Sequence, residues 1–379
     1  MDGNELRNDP LEAPMARALA LAQGAVGLTE PNPRVGCVIT SADGSRWLGQ
    51  GHTQAAGQAH AEVMALRDAA ARGQSVRGAT AWVTLEPCSH HGRTPPCCDA
   101  LIDAGMARVV VAAGDPNPRV NGQGVARLRA AGIVVDFADP AAEQASRALN
   151  IGFFQRMQTG RPWVRMKMAA SLDGRSALDN GVSQWITGPA ARQDGHAWRR
   201  RAGAVLTGVG TVLADDPQLN VRAVATALQP MRVVIDARLD TPTSAKLLAA
   251  DGANRLFYAA QPSAARRAAL EAQGAQVVCL PGPNGRVDLQ AVVQDLGQRG
   301  INELHVEAGP RLNASFIAAG LVDECLIYLA PMLIGAGRGM AALGPLQDLA
   351  QAWRFQFEET VPVGADLRLR LFRTPATKD

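Results

Sequence analysis

The sequence predicts an α/β protein of two domains, and three observations carry that expectation. Its 379 residues exceed what a single core ordinarily serves, at roughly 150 residues per domain. Apolar residues make up 47% of the chain and charged residues only 19%, a balance that buries a large core and excludes global disorder. Apolar runs of strand length alternate with stretches of helical period in both halves, the pattern of mainly parallel sheets covered by helices.

The first half reads in order. Pro14 to Gln23 is a helix, with Pro at its start and Met15, Ala18, Leu19 and Ala22 on one face. Val35 to Thr40 and Arg46 to His52 are strands joined through the turn residues Ala42-Asp43-Gly44. A helix from about His60 to Ala71 precedes the apolar strand Ala79 to Leu85, and another starts near Cys97. Strand Arg108 to Ala113, helix Val125 to Ala131 and strand Ile133 to Phe137 complete the alternation. The pattern lapses around Ile151 to Pro162, where Met157-Gln158-Thr159-Gly160-Arg161-Pro162 carries linker-like punctuation. The boundary is placed there, giving domains 1–157 and 158–379.

The second half opens with strand Trp163 to Ala169. Further apolar runs fall at Ala204 to Thr207, Arg232 to Ile235, Leu256 to Ala259, Gln276 to Leu280, Glu303 to Val306, Glu324 to Leu329 and Leu367 to Phe372, with helical stretches between most of them. These make roughly eight strands with an antiparallel C-terminal edge. No internal repeat interrupts the pattern.

Charge and composition exclude some functions. A net charge of +3 and 4% aromatic residues give neither the field nor the stacking surface of a nucleic-acid binder. No segment approaches the roughly 18 apolar residues of a membrane helix, and Met1 to Leu11 is acidic where a signal peptide starts basic. A cytoplasmic protein is expected, with no membrane or nucleic-acid partner. Six cysteines in a reducing compartment read as thiols or metal ligands.

The chemistry concentrates in His60-Ala61-Glu62, Pro87-Cys88 and Cys97. One imidazole and two thiolates make three tetrahedral zinc ligands and leave a fourth position open, as in catalytic sites. Glu62, two residues beyond His60, is placed to shuttle protons without ligating the metal. Cys97 follows Pro95-Pro96 at a helix start, where the dipole favours its thiolate. A closed structural site completed by Cys98 or His91 is the alternative. Adjacent side chains on a helix diverge by about 100°, so Cys97 and Cys98 do not easily face one metal. His90, His91 and Arg93 lie in the loop between ligands, either solvated or turned to a substrate phosphate. Cys37, Cys279 and Cys325 sit in apolar runs and read as core.

These residues resemble the zinc-dependent cytidine deaminase superfamily, with its H-x-E element and paired cysteines. The eight residues between Cys88 and Cys97 replace the shorter spacing of that signature. They look like the riboflavin-pathway pyrimidine deaminase branch, as does Pro31-Asn32-Pro33-Arg34-Val35-Gly36. Downstream, Ala169-Ala170-Ser171-Leu172-Asp173-Gly174, Ser183-Gln184-Trp185-Ile186-Thr187, Gly210 to Pro217 and Val306-Glu307-Ala308-Gly309-Pro310 resemble the reductase half of the bifunctional enzymes of that pathway. The resemblance covers nearly the whole chain.

It implies a cytidine deaminase-like layered α/β domain followed by a dihydrofolate reductase-like α/β domain. The implied reactions are hydrolytic deamination of 2,5-diamino-6-(5-phosphoribosylamino)pyrimidin-4(3H)-one and NADPH-dependent reduction of 5-amino-6-(5-phosphoribosylamino)uracil. One zinc per chain on His60, Cys88 and Cys97 is implied, with Glu62 as general acid and base and Asn32 on the pyrimidine edge. Ala169, Trp185, Thr211, Asp215 and the turn Gly309, Pro310, Arg311, Leu312, Asn313, Ala314 and Ser315 would line NADPH. Lys167, Ser183, Arg199, Leu219, Arg222 and Glu307 would face the phosphorylated substrate. Guanidinium groups suit phosphate, although Arg199-Arg200-Arg201 offers three candidates for one role. A homo-oligomer is expected. By pattern alone, Glu303 to Val306 followed by Glu307-Ala308-Gly309-Pro310 is a strand, glycine turn and helix start, a weak signal for a phosphate cradle that an ordinary strand-to-helix connection explains as well or better. Gly208-Val209-Gly210 and Gly335 to Gly339 do not complete a G-x-G-x-x-G fingerprint.

Overall fold

Among the described residues a five-stranded sheet organises the first of two units, Met1–Thr159, and a nine-stranded sheet with a separate two-stranded pair, Arg175–Leu178 with Gly337–Gly339, the second, Gly160–Asp379. The computed structural model describes residues 13–90, 95–118 and 120–374. The expectations for Met1 to Leu11, His91 and Arg93 lie outside the described residues. Among these residues no helix is long and apolar enough to cross a membrane.

The first unit runs α1 (Pro14–Gln23), β1 (Gly36–Thr40), β2 (Trp47–His52), α2 (Ala61–Ala71), β3 (Thr80–Leu85), α3 (Cys97–Asp103), β4 (Arg108–Ala113), α4 (Gln123–Ala130), β5 (Val134–Phe137), α5 (Pro140–Leu149) and α6 (Ile151–Thr159). Its strand order is β2-β1-β3-β4-β5. The sheet is less parallel than expected, because β1 pairs antiparallel with both β2 and β3, while β3, β4 and β5 run parallel. Two glycines on β2 let α2 lie against the strand: a Cβ at Gly49 would fall 2.3 Å from the Ala65 carbonyl oxygen, and one at Gly51 would fall 2.5 Å from Met64 Cβ.

The stretch read as a linker is helical through Thr159. Asp139 caps α5 by accepting the Ala142 N–H, and Pro140 occupies its first turn. Phe153 and Phe154 of α6, each 6% exposed, join the same core as Val83, Val109 and Leu128. Burying two aromatic rings outweighs the weak helical signal of the segment.

The second unit contains β6 (Trp163–Ser171), β7 (Arg175–Leu178), α7 (Pro189–Arg201), β8 (Ala204–Gly208), α8 (Val209–Asp215), β9 (Met231–Ile235), β10 (Arg255–Ala259), α9 (Ala264–Ala272), β11 (Gln276–Cys279), α10 (Leu289–Gln298), β12 (Glu303–Val306), α11 (Pro310–Ala318), β13 (Glu324–Ala330), β14 (Gly337–Gly339), β15 (Phe355–Val363) and β16 (Asp366–Arg373). Among the described residues its main sheet has nine strands, ordered β11-β10-β9-β8-β12-β6-β13-β16-β15. All neighbours are parallel up to β13, and β13-β16-β15 is antiparallel, as the C-terminal expectation had it. Strand β15 escaped the sequence reading because it forms an exposed edge with few buried side chains. The core expectation fails for Cys279. It is exposed, since it ends β11, the opposite edge of the sheet, whereas Cys37 and Cys325 are buried.

Candidate functional site

Three separate elements bring the sulfur and nitrogen donors of the first unit together. His60 is the N-cap residue of α2, a position usually held by a side chain that bonds the helix N–H groups, yet its imidazole makes no such bond. Cys88 follows the end of β3, and Cys97 opens α3. His60 Nδ1 lies 3.2 Å from Cys97 Sγ and 3.7 Å from Cys88 Sγ, and the donor atoms all lie within 4.8 Å of one another. A tetrahedral zinc with bonds of about 2.0–2.3 Å sets its donors roughly 3.5–3.8 Å apart, so this set fits the ion in both spacing and softness.

The electrostatics favour a cation. Hydrogen bonding from Cys97, ahead of that from His60, pulls the Cys88 thiol down to about 4. Cys97 shifts the opposite way: acting as donor to Cys88, then burial, then the neighbouring Glu62 push its thiol up, so the helix start alone does not ionise it. Glu62 is 3% exposed, and burial followed by the charge of Cys88 raises its carboxyl above the usual range. Cys98 turns away, its Sγ donating to the carbonyls of Pro87 at 3.3 Å and Gly124 at 3.5 Å. Asn32 sits half-buried before β1, with its backbone N–H donating to Thr29 and no hydrogen bond from its side chain to a described residue.

Two acidic residues near this cluster went unread in the sequence. Glu86 accepts four backbone N–H groups, from Asp115, Gly122, Gly124 and Val125, at 3.0–3.3 Å. One carboxylate thereby fixes the start of α4 beside Pro87-Cys88, and a Cβ at Gly124 would strike the Pro87 carbonyl at 2.1 Å. Asp115, past the end of β4, is pushed up to about 7 chiefly by burial, with Glu86 and Cys88 adding to it. An acid before Pro-Cys was the available signal for Glu86. Its partners lie 29 to 39 residues on, beyond local pattern.

In the second unit, the C-terminal ends of the adjacent parallel strands β8, β12 and β6 gather several of the sequence-derived residues, the place where α/β sheets bind ligands. Lys167 and Ala169 lie on β6, Thr211 and Asp215 on α8, and Glu307 between β12 and α11. Arg199 of α7 grips Glu307 through Nε at 2.5 Å and Nη2 at 2.8 Å, and its Nη1 donates to the Asn220 carbonyl at 2.9 Å. Burial alone would raise the Glu307 carboxyl, but Arg199 holds it well below the usual range. Burial lowers the Lys167 ammonium, and Arg199 lowers it further, against the pull of Glu307. Arg222 is exposed and donates to Asn220 Oδ1 at 3.0 Å. Leu219 is 2% exposed in the left-handed region.

Gly309 caps α11 with Pro310 in the first turn, and a Cβ at Gly309 would lie 3.6 Å from Thr211 Oγ1. This side-chain-free turn at a helix start suits a cofactor phosphate. Asn313 Nδ2 donates to the Met340 carbonyl while its buried Oδ1 has no partner among the described residues, and Ser315 Oγ donates to the Arg311 carbonyl. Trp185 is 65% exposed under the Arg192 guanidinium. No described hydrogen bond or ion pair joins Trp185 or Ser183 to the Glu307 group.

Comparison with known proteins decides the family. Residues 9–113 match the cytidine and deoxycytidylate deaminase zinc-binding region, and residues 162–369 match the RibD C-terminal domain. The riboflavin biosynthesis protein RibD of Escherichia coli K12 is 46% identical over 370 residues, covering 94% of this chain and 98% of that protein. The chain belongs to the RibD family. Among solved structures, Acinetobacter baumannii RibD shares 42% identity with a TM-score of 0.86, covering 96% of this chain and 98% of its own. A Thermotoga maritima diaminohydroxyphosphoribosylaminopyrimidine deaminase/5-amino-6-(5-phosphoribosylamino)uracil reductase shares 30% identity with a TM-score of 0.83, covering 95% and 98%. As a RibD protein, the chain is a bifunctional enzyme of riboflavin biosynthesis, with a zinc-binding, cytidine deaminase-like domain and a reductase domain that uses a nicotinamide cofactor. RibD chemistry therefore explains why two unrelated sites share one polypeptide.

Proposed function

We propose that residues 1–157 deaminate 2,5-diamino-6-(5-phosphoribosylamino)pyrimidin-4(3H)-one and that residues 158–379 reduce 5-amino-6-(5-phosphoribosylamino)uracil with NADPH. The convergence of His60, Cys88 and Cys97 beside the buried Glu62 carries this reading. These three residues would hold one zinc per chain, which when bound would make water acidic enough to supply hydroxide near neutral pH. Glu62 takes one water proton and gives it to the ring nitrogen as the water oxygen bonds the ring carbon, then takes the second proton from that oxygen and gives it to the amine, which leaves as ammonia as the C–N bond breaks. Its raised proton affinity suits a group that must both accept and donate. Asn32 orients the pyrimidine edge with its uncommitted amide.

In the reductase, bound NADPH supplies the hydride that converts the ribosyl group to ribityl. Ala169, Trp185, Thr211, Asp215 and the turn Gly309 to Ser315 line the cofactor, while Lys167, Ser183, Leu219, Arg222 and Glu307 face the substrate. Arg199 reaches the substrate through Glu307, because its fork is already filled by that carboxylate. A cytoplasmic homo-oligomer completes the reading.

Phosphate recognition tests the substrate class. Arg222→Ala is expected to raise the reductase KM about tenfold or more for the phosphorylated substrate, the size of a lost charged hydrogen bond, and far less for a dephosphorylated analogue. Arg199→Ala should weaken both substrates alike, since it acts through Glu307. Equal effects of Arg222→Ala on both substrates would remove it from phosphate binding.

A further inference from the structure

The loop that carries Asn32 is fastened from the far end of its unit. Asn150 lies at the break between α5 and α6 and is 2% exposed. Its Oδ1 accepts the Arg34 N–H at 2.7 Å, and its Nδ2 donates to the Arg34 carbonyl at 2.9 Å and the Ser146 carbonyl at 3.2 Å. One side-chain amide thus pairs with both backbone groups of Arg34, as a neighbouring strand would. Arg34 answers by donating from Nη1 to the Leu149 carbonyl at 2.9 Å, and Arg156 of α6 donates to the Pro31 carbonyl at 3.2 Å. Both ends of Pro31-Asn32-Pro33-Arg34 are therefore tied to α5 and α6. The same helix pair reaches the metal strand, since Ser146 Oγ donates to the Thr84 carbonyl at 2.5 Å, four residues before Cys88.

Physical chemistry gives these ties a purpose. A proline on either side of Asn32 restricts the backbone, so fixing the two ends leaves Asn32 little freedom. A binding group on a loop is only as well placed as the groups that hold the loop, and a displacement of about 1 Å costs up to 10²-fold in rate. The zinc-binding region match ends at residue 113, so the anchoring residues lie outside the segment that defines the metal site.

We propose that Asn150 is a positioning residue for pyrimidine binding, acting on Asn32 through its hold on the Arg34 backbone. This rests on the reading of Asn32 as the group that meets the pyrimidine edge. Substrate affinity then depends on the hold of Asn150 on Arg34, while the zinc ligands do not depend on that hold.

The experiment is a double-mutant cycle on the full chain with Asn32→Ala, Asn150→Ala and both together, reading deaminase KM, kcat and zinc content. Asn150→Ala is expected to raise KM about tenfold with zinc retained and kcat less affected, and to add nothing in the Asn32→Ala background, the mark of two residues acting as one unit. An unchanged KM in Asn150→Ala while Asn32→Ala raises it would overturn the positioning proposal alone. Loss of zinc or of kcat in step with KM, or fully additive effects, would reduce Asn150 to a structural role and also overturn it. An unchanged KM in Asn32→Ala would overturn the Asn32 reading and this proposal with it. If Asn150→Ala does not fold, Arg156→Met loosens the Pro31 end instead, and the same cycle with Asn32→Ala decides the matter.

Discussion

Glu62→Gln is expected to lower ammonia release by about 10² to 10⁴, the range for losing a positioned acid–base group. Glutamine keeps the size and polarity of the side chain but cannot carry a proton between water, ring nitrogen and leaving amine. Glu62 sits in the first turn of α2, 3% exposed and two residues past His60, so the substitution leaves the three donors in place and zinc should stay bound. NADPH oxidation with already deaminated substrate should be nearly unchanged, because the residues assigned to it all follow Gly160. Paired assays on one purified variant, with metal content alongside, give the answer. Full deaminase activity would remove Glu62 from the mechanism, and loss of both activities with zinc retained would mean a shared site.

Arg165→Met should destabilise the reductase unit alone. Arg165 is wholly buried, with Nη1 2.8 Å from Glu303 and Nε 2.9 Å from Glu324, and those carboxylates are 1% and 0% exposed. Its guanidinium also covers the Trp198 ring at 4.5 Å. Arg201 shares Oε2 of Glu303 with Arg165, and Arg370 holds the other oxygen of Glu324, each at 2.8 Å. Removing the central cation leaves two carboxylates facing each other in the interior, and breaking such a pair costs about 3–5 kcal/mol. The retained arginines put the cost near the lower end, about 3 kcal/mol, or a fall of roughly 6–12 °C for a unit of this size.

Acid should act on the same cluster. Burial pushes the Glu324 carboxyl up, but Arg165 and Arg370 outweigh it and hold it below the ordinary value. A depressed folded-state value contributes stability that is fully present above the unfolded value of about 4.3 and is lost as pH falls through the lower folded one. Arg165→Met therefore flattens the acid limb of reductase stability. Thermal inactivation followed separately by NADPH oxidation and ammonia release checks this. An unchanged reductase midpoint, or an equal fall in both activities, would contradict it.

What was legible in the sequence follows from how local each signal is. His60, Glu62, Cys88 and Cys97 could be read because zinc chemistry demands those residue types and helix and strand ends punctuate them. The buried strands were readable as apolar runs. Helices α5 and α6 were not, although Asp139-Pro140 is a start signal, because the turn residues after Thr159 dominated the segment. The run Arg199-Arg200-Arg201 stayed ambiguous until the helix rotated each side chain to its own partner: Glu307 for Arg199, the Ala225 carbonyl for Arg200 and Glu303 for Arg201. Glu86 and Asn150 act on backbone groups 29 to 39 and 116 residues away, and no local pattern records such a distance.

The central claim is that a three-donor zinc site runs one reaction while a separate site on the same chain runs the other. Ammonia release set against NADPH oxidation in Cys97→Ser, with Cys98→Ser as the neighbour control, tests it most directly. The account predicts that Cys97→Ser loses zinc and ammonia release but still oxidises NADPH with the deaminated substrate, while Cys98→Ser keeps zinc. Zinc retained in Cys97→Ser and lost in Cys98→Ser, or both activities lost together in Cys97→Ser, would contradict it.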